Sequence, residues 1–253
     1  MYSGDLYPAI LRRRSVRKYD PKALTDDTLE EIRGLISRLK PMREGIKTLY
    51  KIVPPEQVRT IGDKAPHYVA ALSEVKEGHL SNVGYMLQGL DLALSSSGIG
   101  CCWLGIPRPT GEVYRGSGLE FVIFLSFGKP AEPIYRESIS EFVRKPTNTI
   151  SSVVGSGELV EAARLAPSAM NNQGWFFTGG GDVIHAYIRN PGFVRGFFAA
   201  KYLGIDVGIA IRHVAVAAEH FGRSVSYAFN AGLDVDPPKG CEYVASIKLG
   251  ESS

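Results

Sequence analysis

The chain has 253 residues, 44% of them hydrophobic and 22% charged, an ordinary globular composition that excludes intrinsic disorder. A chain of this length buries a sizeable core without staples, as one large domain or two small ones. Lysine plus arginine total 29 against 26 aspartate plus glutamate, and the resulting +3 is too small for wholesale binding of nucleic acid or an anionic membrane.

In chain order, residues 7–11 pattern as a short helix leading into Arg12, Arg13 and Arg14. Thr25 opens the next helix, with Asp26 and Asp27 as first-turn acids and Leu29, Ile32, Leu35 and Ile36 on one face. That helix is expected to stop near Lys40–Pro41. Residues 46–52 and 68–72 read as strands. A long helix follows over 79–97, with Val83, Met86, Leu87, Leu90 and Leu94 as its apolar stripe and Gly98 as its stop. FVIFLSF at 121–127 is a strongly β-prone strand, and Pro130, Pro133 and Pro146 mark a linker. The pattern then begins again: a helix at 158–165, strands at 175–177 and 183–188, a long helix at 205–220 stopped by Gly222, and a strand at 243–249.

The spacing predicts a duplication. Gly84 and Gly208 lie 208 − 84 = 124 residues apart, and Gly98 and Gly222 lie 222 − 98 = 124 apart. The closing strands LEFVIFLSFG and CEYVASIKLG align at 250 − 128 = 122. Two domain-sized halves, residues 1–150 and 151–253, would copy a homodimer within one chain. Three cysteines, none spaced C-x-x-C, make neither a disulfide framework nor a structural zinc site, and the five histidines have no metal-ligand spacing. The start lacks the apolar core of a signal peptide, and no run approaches the roughly 20 apolar residues that span a bilayer. The expectation is a soluble, reducing, cytoplasmic protein.

Three segments could carry chemistry. Arg13, Arg14, Ser15 and Arg17 form a fork-shaped donor array suited to a phosphate dianion, or a solvated basic turn. In residues 166–175, APSAMNNQGW, carboxamides that can pair with a heterocycle's edge run from a helix into a strand; the alternative is an ordinary connecting loop. In GIGCCWLG, residues 98–105, glycines let backbone approach a planar ligand. Cys101 and Cys102 read as buried small residues or as redox thiols without a resolving partner.

Together these segments resemble the nitroreductase family of FMN-dependent oxidoreductases. The resemblance is carried by RRSVRKYDPKALTDDTLEEI, by ARLAPSAMNNQGWFF, and by GIGCCWLG followed by FLSFGKPAEPIYR. It is strongest to the branch in which two halves are fused. It implies an α+β, nitroreductase-like fold in which two tandem degenerate halves pack as an intramolecular pseudo-dimer around long central helices. It also implies a monomer that mimics a homodimer, with one FMN site. The first half has SRLKPMREG where the second has the P-S-x-x-N-x-Q loop, and the second half has no arginine motif, so the mirror site is expected to be lost.

Carried over residue by residue, the resemblance assigns Arg13, Arg14 and Ser15 to the phosphate and ribityl end and Arg17 to the N1–O2 side of the ring. Arg136 closes on the phosphate. Pro167, Ser168, Ala169 and Asn171 line the ring and ribityl chain, and backbone amides at Leu104 and Gly105 face N5. Gln173 supports the loop. Arg59 and Lys64 are possible cations near the pyrimidine, and residues 190–201 are either an aromatic cover or plain packing. The chain departs from the family at Gly174, where a proline is common.

The implied activity is ping-pong hydride transfer from NADH or NADPH through flavin N5 to a nitroaromatic, quinone or similar small-molecule acceptor, with no side chain required as acid or base. The main alternative is a non-catalytic FMN-binding or sensory protein derived from such an enzyme. A further one is a phosphate-anchored binder of another nucleotide. A nucleic-acid role would rest on residues 12–18 alone.

Overall fold

The structure is a computed structural model; it describes residues 4–60, 64–189, 196–230 and 236–251, without the side chains of 196–200. The chain divides into two compact units. One comprises the chain up to His79 and Met86–Ile139; the other comprises Leu80–Tyr85 and Ser140–Ser253.

The first unit starts with α1 (Tyr7–Ile10) and α2 (Asp26–Ser37). Thr25 caps α2 as its sequence requires, its hydroxyl accepting the Thr28 amide at 3.3 Å. The helix ends at Ser37, short of Pro41, because Arg38 already leaves helical space at φ −98°, ψ 2°. A residue before proline is held extended, so the turn must be made earlier. Four strands follow in one antiparallel sheet: β1 (Thr48–Val53), β3 (His67–Ser73), β4 (Gly100–Leu104) and β6 (Glu120–Gly128), in the order β1-β3-β6-β4. Between them lie β2 (Val58–Arg59), β5 (Arg108–Pro109) and α4 (Gly111–Tyr114); β2 and β5 pair as a separate two-stranded ribbon.

Strand β3 is buried along its whole length, as befits a central strand covered on both faces. On one side Val53, Tyr68, Ala70, Leu72, Val113 and Phe124 form a core, with the Tyr68 and Phe124 rings edge to face at 5.7 Å. Full burial of a side chain like Phe124 contributes about 1.5–3 kcal/mol. Helix α3 (His79–Ser96) joins β3 to β4. It ends in a Schellman turn: Gly98 sits at φ +77°, its amide donates to Ser95 O, and the Ile99 amide donates to Leu94 O at 2.9 Å.

The second unit contains α5 (Thr147–Ile150), α6 (Gly157–Arg164), β7 (Trp175–Gly180), β8 (Val183–Arg189), α7 (Gly196–His220), β9 (Arg223–Ala228) and β10 (Cys241–Glu251). Its sheet is antiparallel in the order β7-β8-β10-β9. Counted along the chain, the four main strands of each unit therefore take the same order, first-second-fourth-third. In each, the long helix leads from the second strand to the third. Helix α7 starts nine residues before the expected 205, and β4 and β9 are strands that the sequence pattern does not announce.

Within the second unit, Leu80–Tyr85 of α3 lies against α7 at van der Waals distance. A Cβ added to Gly84 would fall 2.2 Å from Ile205 O, and one added to Gly208 would fall 2.0 Å from Ser81 O. Positions 84 and 208 correspond at the 124-residue offset, and so do 81 and 205 (205 − 81 = 124). The contact within this unit is thus reciprocal between the two helices.

Candidate functional site

The arginine segment runs as extended chain beside two other parts of the first unit. The Val16 amide donates to Cys101 O on β4 at 2.9 Å, and the Arg14 amide donates to Ile134 O at 3.2 Å. Gly100 is glycine because a Cβ there would strike Val16 Cγ1 at 2.7 Å. Arg136 reaches back to donate from Nη1 to the Arg13 carbonyl, and its own amide donates to Arg12 O at 2.7 Å. The Arg12 guanidinium lies 4.1 Å from the Tyr135 ring centroid, and the Tyr135 hydroxyl donates to Ser95 O at 2.6 Å. The fold thus gathers Arg13, Arg14, Ser15, Arg17, Arg136 and the strand ending at Leu104.

The cations in this group differ. Arg13 is buried, and its Nε faces Asp91 Oδ2 on α3 at 3.2 Å, with both side chains 2% exposed or less. Its Nη2 lies 3.4 Å from Ser15 Oγ. A buried arginine needs such a counter-charge. Arg14 is half-buried and Arg17 exposed. The Arg17 and Lys18 amides donate to Glu132 Oε1 at 2.7 and 3.3 Å, which holds that carboxyl below the usual range, with Arg14 adding to the effect. Burial pushes both thiols up, Cys101 well above its ordinary value, so neither is a ready nucleophile.

Beyond β4, the backbone of 105–108 folds around one side chain. Arg108 Nη1 donates to Gly105 O at 2.7 Å, to Ile106 O at 3.0 Å and to Pro107 O at 3.0 Å. Trp103 Nε1, on the same strand as Leu104, is a buried donor without an acceptor. Arg59 stands opposite Arg108 in the ribbon, and Lys64 donates to Pro55 O at 2.8 Å.

In the second unit, residues 167–173 make a tightly braced loop. Met170, Asn171 and Gln173 hold φ of 50°, 55° and 46°, a region non-glycine residues rarely adopt. Such a cluster is stable only when its surroundings over-determine it, and it marks functional loops. Ser168 Oγ accepts the Gln173 amide at 2.9 Å, and Gln173 Oε1 accepts the Lys145 amide at 2.7 Å. Arg144 donates to Asn171 Oδ1 at 2.9 Å, while Asn171 Nδ2 donates to Val143 O at 2.8 Å. Lys145 Nζ donates to Asn172 O at 2.6 Å. Asp206 on α7 accepts the Ala169 amide with both carboxylate oxygens at 3.1 Å. Pro167 and Gln173 are buried, whereas Met170 at the tip is 97% exposed.

Four residues in these networks escape sequence reasoning. Arg144 and Lys145 sit in the proline-marked linker, where a cation pair immediately before the second half was the available signal. Asp91 is the one acid of α3 and Asp206 the one buried acid of α7, each within an apolar run, and that anomaly was legible in the pattern. Residues 190–195 of the possible cover lie outside the described residues. Among the described residues no cluster of His, Cys, Asp or Glu could hold a metal ion, and no helix is long and apolar enough to cross a membrane.

Comparison with known proteins finds a family and several similar solved structures. The family model described as "Putative TM nitroreductase" matches residues 5–218. A Thermotoga maritima protein, described as a "putative nitroreductase", is 20% identical over 98% of this chain and 95% of its own, with a TM-score of 0.69. That likeness establishes the α+β nitroreductase fold. A nitroreductase family protein from Clostridium difficile 630 is 14% identical over 58% of this chain and 95% of its own, with a TM-score of 0.45. An FMN-dependent nitroreductase from Clostridium difficile R20291 is 13% identical over 57% of this chain and all (100%) of its own, with a TM-score of 0.42. No curated protein matches.

Proposed function

The chain belongs to the TM nitroreductase family, and from that membership we propose an FMN-dependent NAD(P)H oxidoreductase that passes electrons to a nitroaromatic, quinone or similar small acceptor. The observation that carries this reading is the convergence, within the first unit, of the arginine segment, Arg136 and the start of β4 at Gly100–Cys101. FMN bound there would supply two-electron hydride chemistry at N5.

The donor set fits that cofactor. Among the described residues the Arg14 and Arg17 guanidinium groups make no hydrogen bond and no ion pair, so both can meet an anion with bidentate geometry. Arg13, held by Asp91, contributes a fixed positive charge and a rigid backbone. Ser15 offers a hydroxyl beside it. Arg136 braces the segment through the Arg13 carbonyl. The backbone at Leu104 and Gly105 presents amide groups at the end of a rigid strand, and Trp103 Nε1 is an unused donor close by in sequence. We assign Pro167, Ser168, Ala169 and Asn171 as a second contributor to ring and ribityl contacts. The support is the strained, braced backbone of their loop, whose Ala169, Asn171 and Gln173 amides are committed within the chain, so that the loop's shape is set before any ligand arrives.

The test is anaerobic addition of NADH or NADPH to the FMN-loaded protein. Bleaching of the yellow colour that a quinone reverses is expected. Arg14→Ala and Arg17→Ala should each weaken FMN retention by about tenfold or more, the scale of one lost charge-assisted contact. Flavin that binds tightly yet never bleaches would instead identify a non-catalytic binder, and colourless protein that cannot be reconstituted would remove FMN altogether.

A further inference from the structure

Strand β1 is bare along its outer edge. Among the described residues it pairs with β3 alone, and it ends its sheet. The Glu74 amide donates to Lys47 O at 2.9 Å, which sets the alternation of the ladder. Residues 49, 51 and 53 turn their backbone groups toward β3, so those of Thr48, Tyr50 and Ile52 point outward. Beside this strand lies a groove of about 540 Å³, lined by Arg33 and Ile36 of α2, by residues 50–53 of β1 and by Glu112 and Val113 of α4. Its volume falls in the range of ligand sites, roughly 300–1,000 Å³.

The second unit shows what such an edge accepts. Its first strand, β7, is also six residues long and also ends its sheet. There the edge is covered. Residues 151–154 run parallel to β7, with Ser151 beside Phe177 and Val154 beside Gly180. The Ser152 amide donates to Phe177 O at 2.9 Å, and the Val154 amide donates to Gly179 O at 3.1 Å. Matched from their first residues, the two strands differ by 175 − 48 = 127. Phe177 and Gly179 then correspond to Tyr50 and Ile52, whose carbonyls face outward in β1. The same register sets Ser152 beside Thr178, and Thr178 corresponds to Lys51 (178 − 127 = 51).

Lys51 gives the bare edge a chemical preference. Its Nζ donates to Val113 O at 2.9 Å and makes no ion pair among the described residues. Arg33, the other cation of the groove, already pairs with Glu30 at 3.0 Å. A lysine on an edge strand deters chance pairing with another sheet. A carboxylate placed opposite it turns the same charge into a point of selection.

We propose that the outer edge of β1 is a docking site for a partner protein: an extended segment, as long as 151–154, that runs parallel to β1 and carries a carboxylate beside Lys51. Alternate amides of that segment donate to Tyr50 O and Ile52 O. This is strand addition, in which backbone bonds supply affinity and side chains choose the partner. The inference goes beyond the oxidoreductase reading and does not depend on it.

The probe is a fluorescein-labelled peptide copying residues 147–156, TNTISSVVGS, with the change Ser152→Glu. Fluorescence anisotropy follows its binding to the full chain. Saturable binding is expected, about tenfold tighter than that of the same peptide with Ser152→Lys, because like charges set side by side are penalised. The Lys51→Glu protein should reverse that order, with circular dichroism checking its fold. Reversal also places the peptide on β1, since β7 has Thr178 at this position. Methylating the peptide nitrogens of residues 152 and 154 removes both donors and should abolish binding to wild type, an arm that needs no protein variant. Failure of the Glu peptide to saturate, undiminished binding of the methylated peptide, or an unchanged order in folded Lys51→Glu would each overturn the proposal. So would a dimer, seen by sedimentation, that the peptide dissociates, because the edge would then belong to a second copy of this chain.

Discussion

Asp206 is 3% exposed on a long apolar helix, and its two oxygens share one amide donor, from Ala169. Asp91 is equally buried but faces the Arg13 guanidinium. Without such a cation, burial raises the Asp206 carboxyl from its ordinary 3.8 to about 7, only partly opposed by the Ala169 amide. The sign follows from proton counts. Between pH 4 and 7 the folded chain holds a proton that the unfolded chain has released, so this contribution to stability is full below about pH 4 and is lost as pH rises through 7. The ionised group then costs on the order of 4 kcal/mol. Asparagine keeps the acceptor and removes the charge, and asparagine already occupies the corresponding position of α3, Asn82 (206 − 124 = 82). Asp206→Asn should therefore unfold at least about 5 °C above wild type at pH 8, with the gap closing by pH 5. A gap of equal size at both values would show that Asp206 does not titrate in this range.

At the scale of elements, the glycines decide which parts of the fold can be read from sequence. The α2 cap, the Gly98 and Gly222 stops and the central strands were legible because each is set by local chemistry or by an uninterrupted apolar run. The start of α7 was not. Gly204 weakens the helical signal there, yet it is required because Leu80 Cβ stands 2.9 Å from where its own Cβ would be. Strand β4 was hidden in the same way by Gly100, and β9 by the polarity of an edge strand whose residues alternate between half-buried and exposed. In the candidate site the arginine array could be read as anion-binding. That Arg13 turns inward could not, because Asp91 is brought to it only by the packing of α3. The tight helix contact makes a prediction of its own. Gly84→Ala and Gly208→Ala would each place a methyl within 2.2 Å of a backbone carbonyl, which cannot move as a side chain can. Overpacking of about 1–3 kcal/mol should exceed the roughly 0.5–1 kcal/mol gained in helix propensity. Gly34→Ala in α2, whose nearest neighbour is Arg38 Nη1 at 3.6 Å, should gain the propensity alone. Thermal unfolding should thus place the first two variants below wild type and the third at or above it. Equal melting temperatures for all three would mean that the α3–α7 contact has room for a methyl at both glycines.

For the whole molecule, the repeated strand order argues for descent from one duplicated unit, and the motifs argue that the copies have since diverged in opposite ways. The first retains the arginine segment and carries SRLKPMREG where a P-S-x-x-N-x-Q loop would stand; the second retains that loop and lacks the arginines. A dianion needs the cations, and only one set exists, so we expect one FMN per chain. This can be read without any assay of turnover. Titrating flavin-free protein with FMN should saturate at one equivalent, with a single transition in tryptophan fluorescence. At a hundredfold excess over Kd the bound state gains about 2.7 kcal/mol, which for a chain of this size raises the melting temperature by roughly 5–10 °C. Arg14→Ala should reduce that shift in proportion to its weaker binding, while Gly34→Ala should leave it intact. Saturation at two equivalents would mean that the second copy holds phosphate by residues other than an arginine segment, and the single-site assignment would fall.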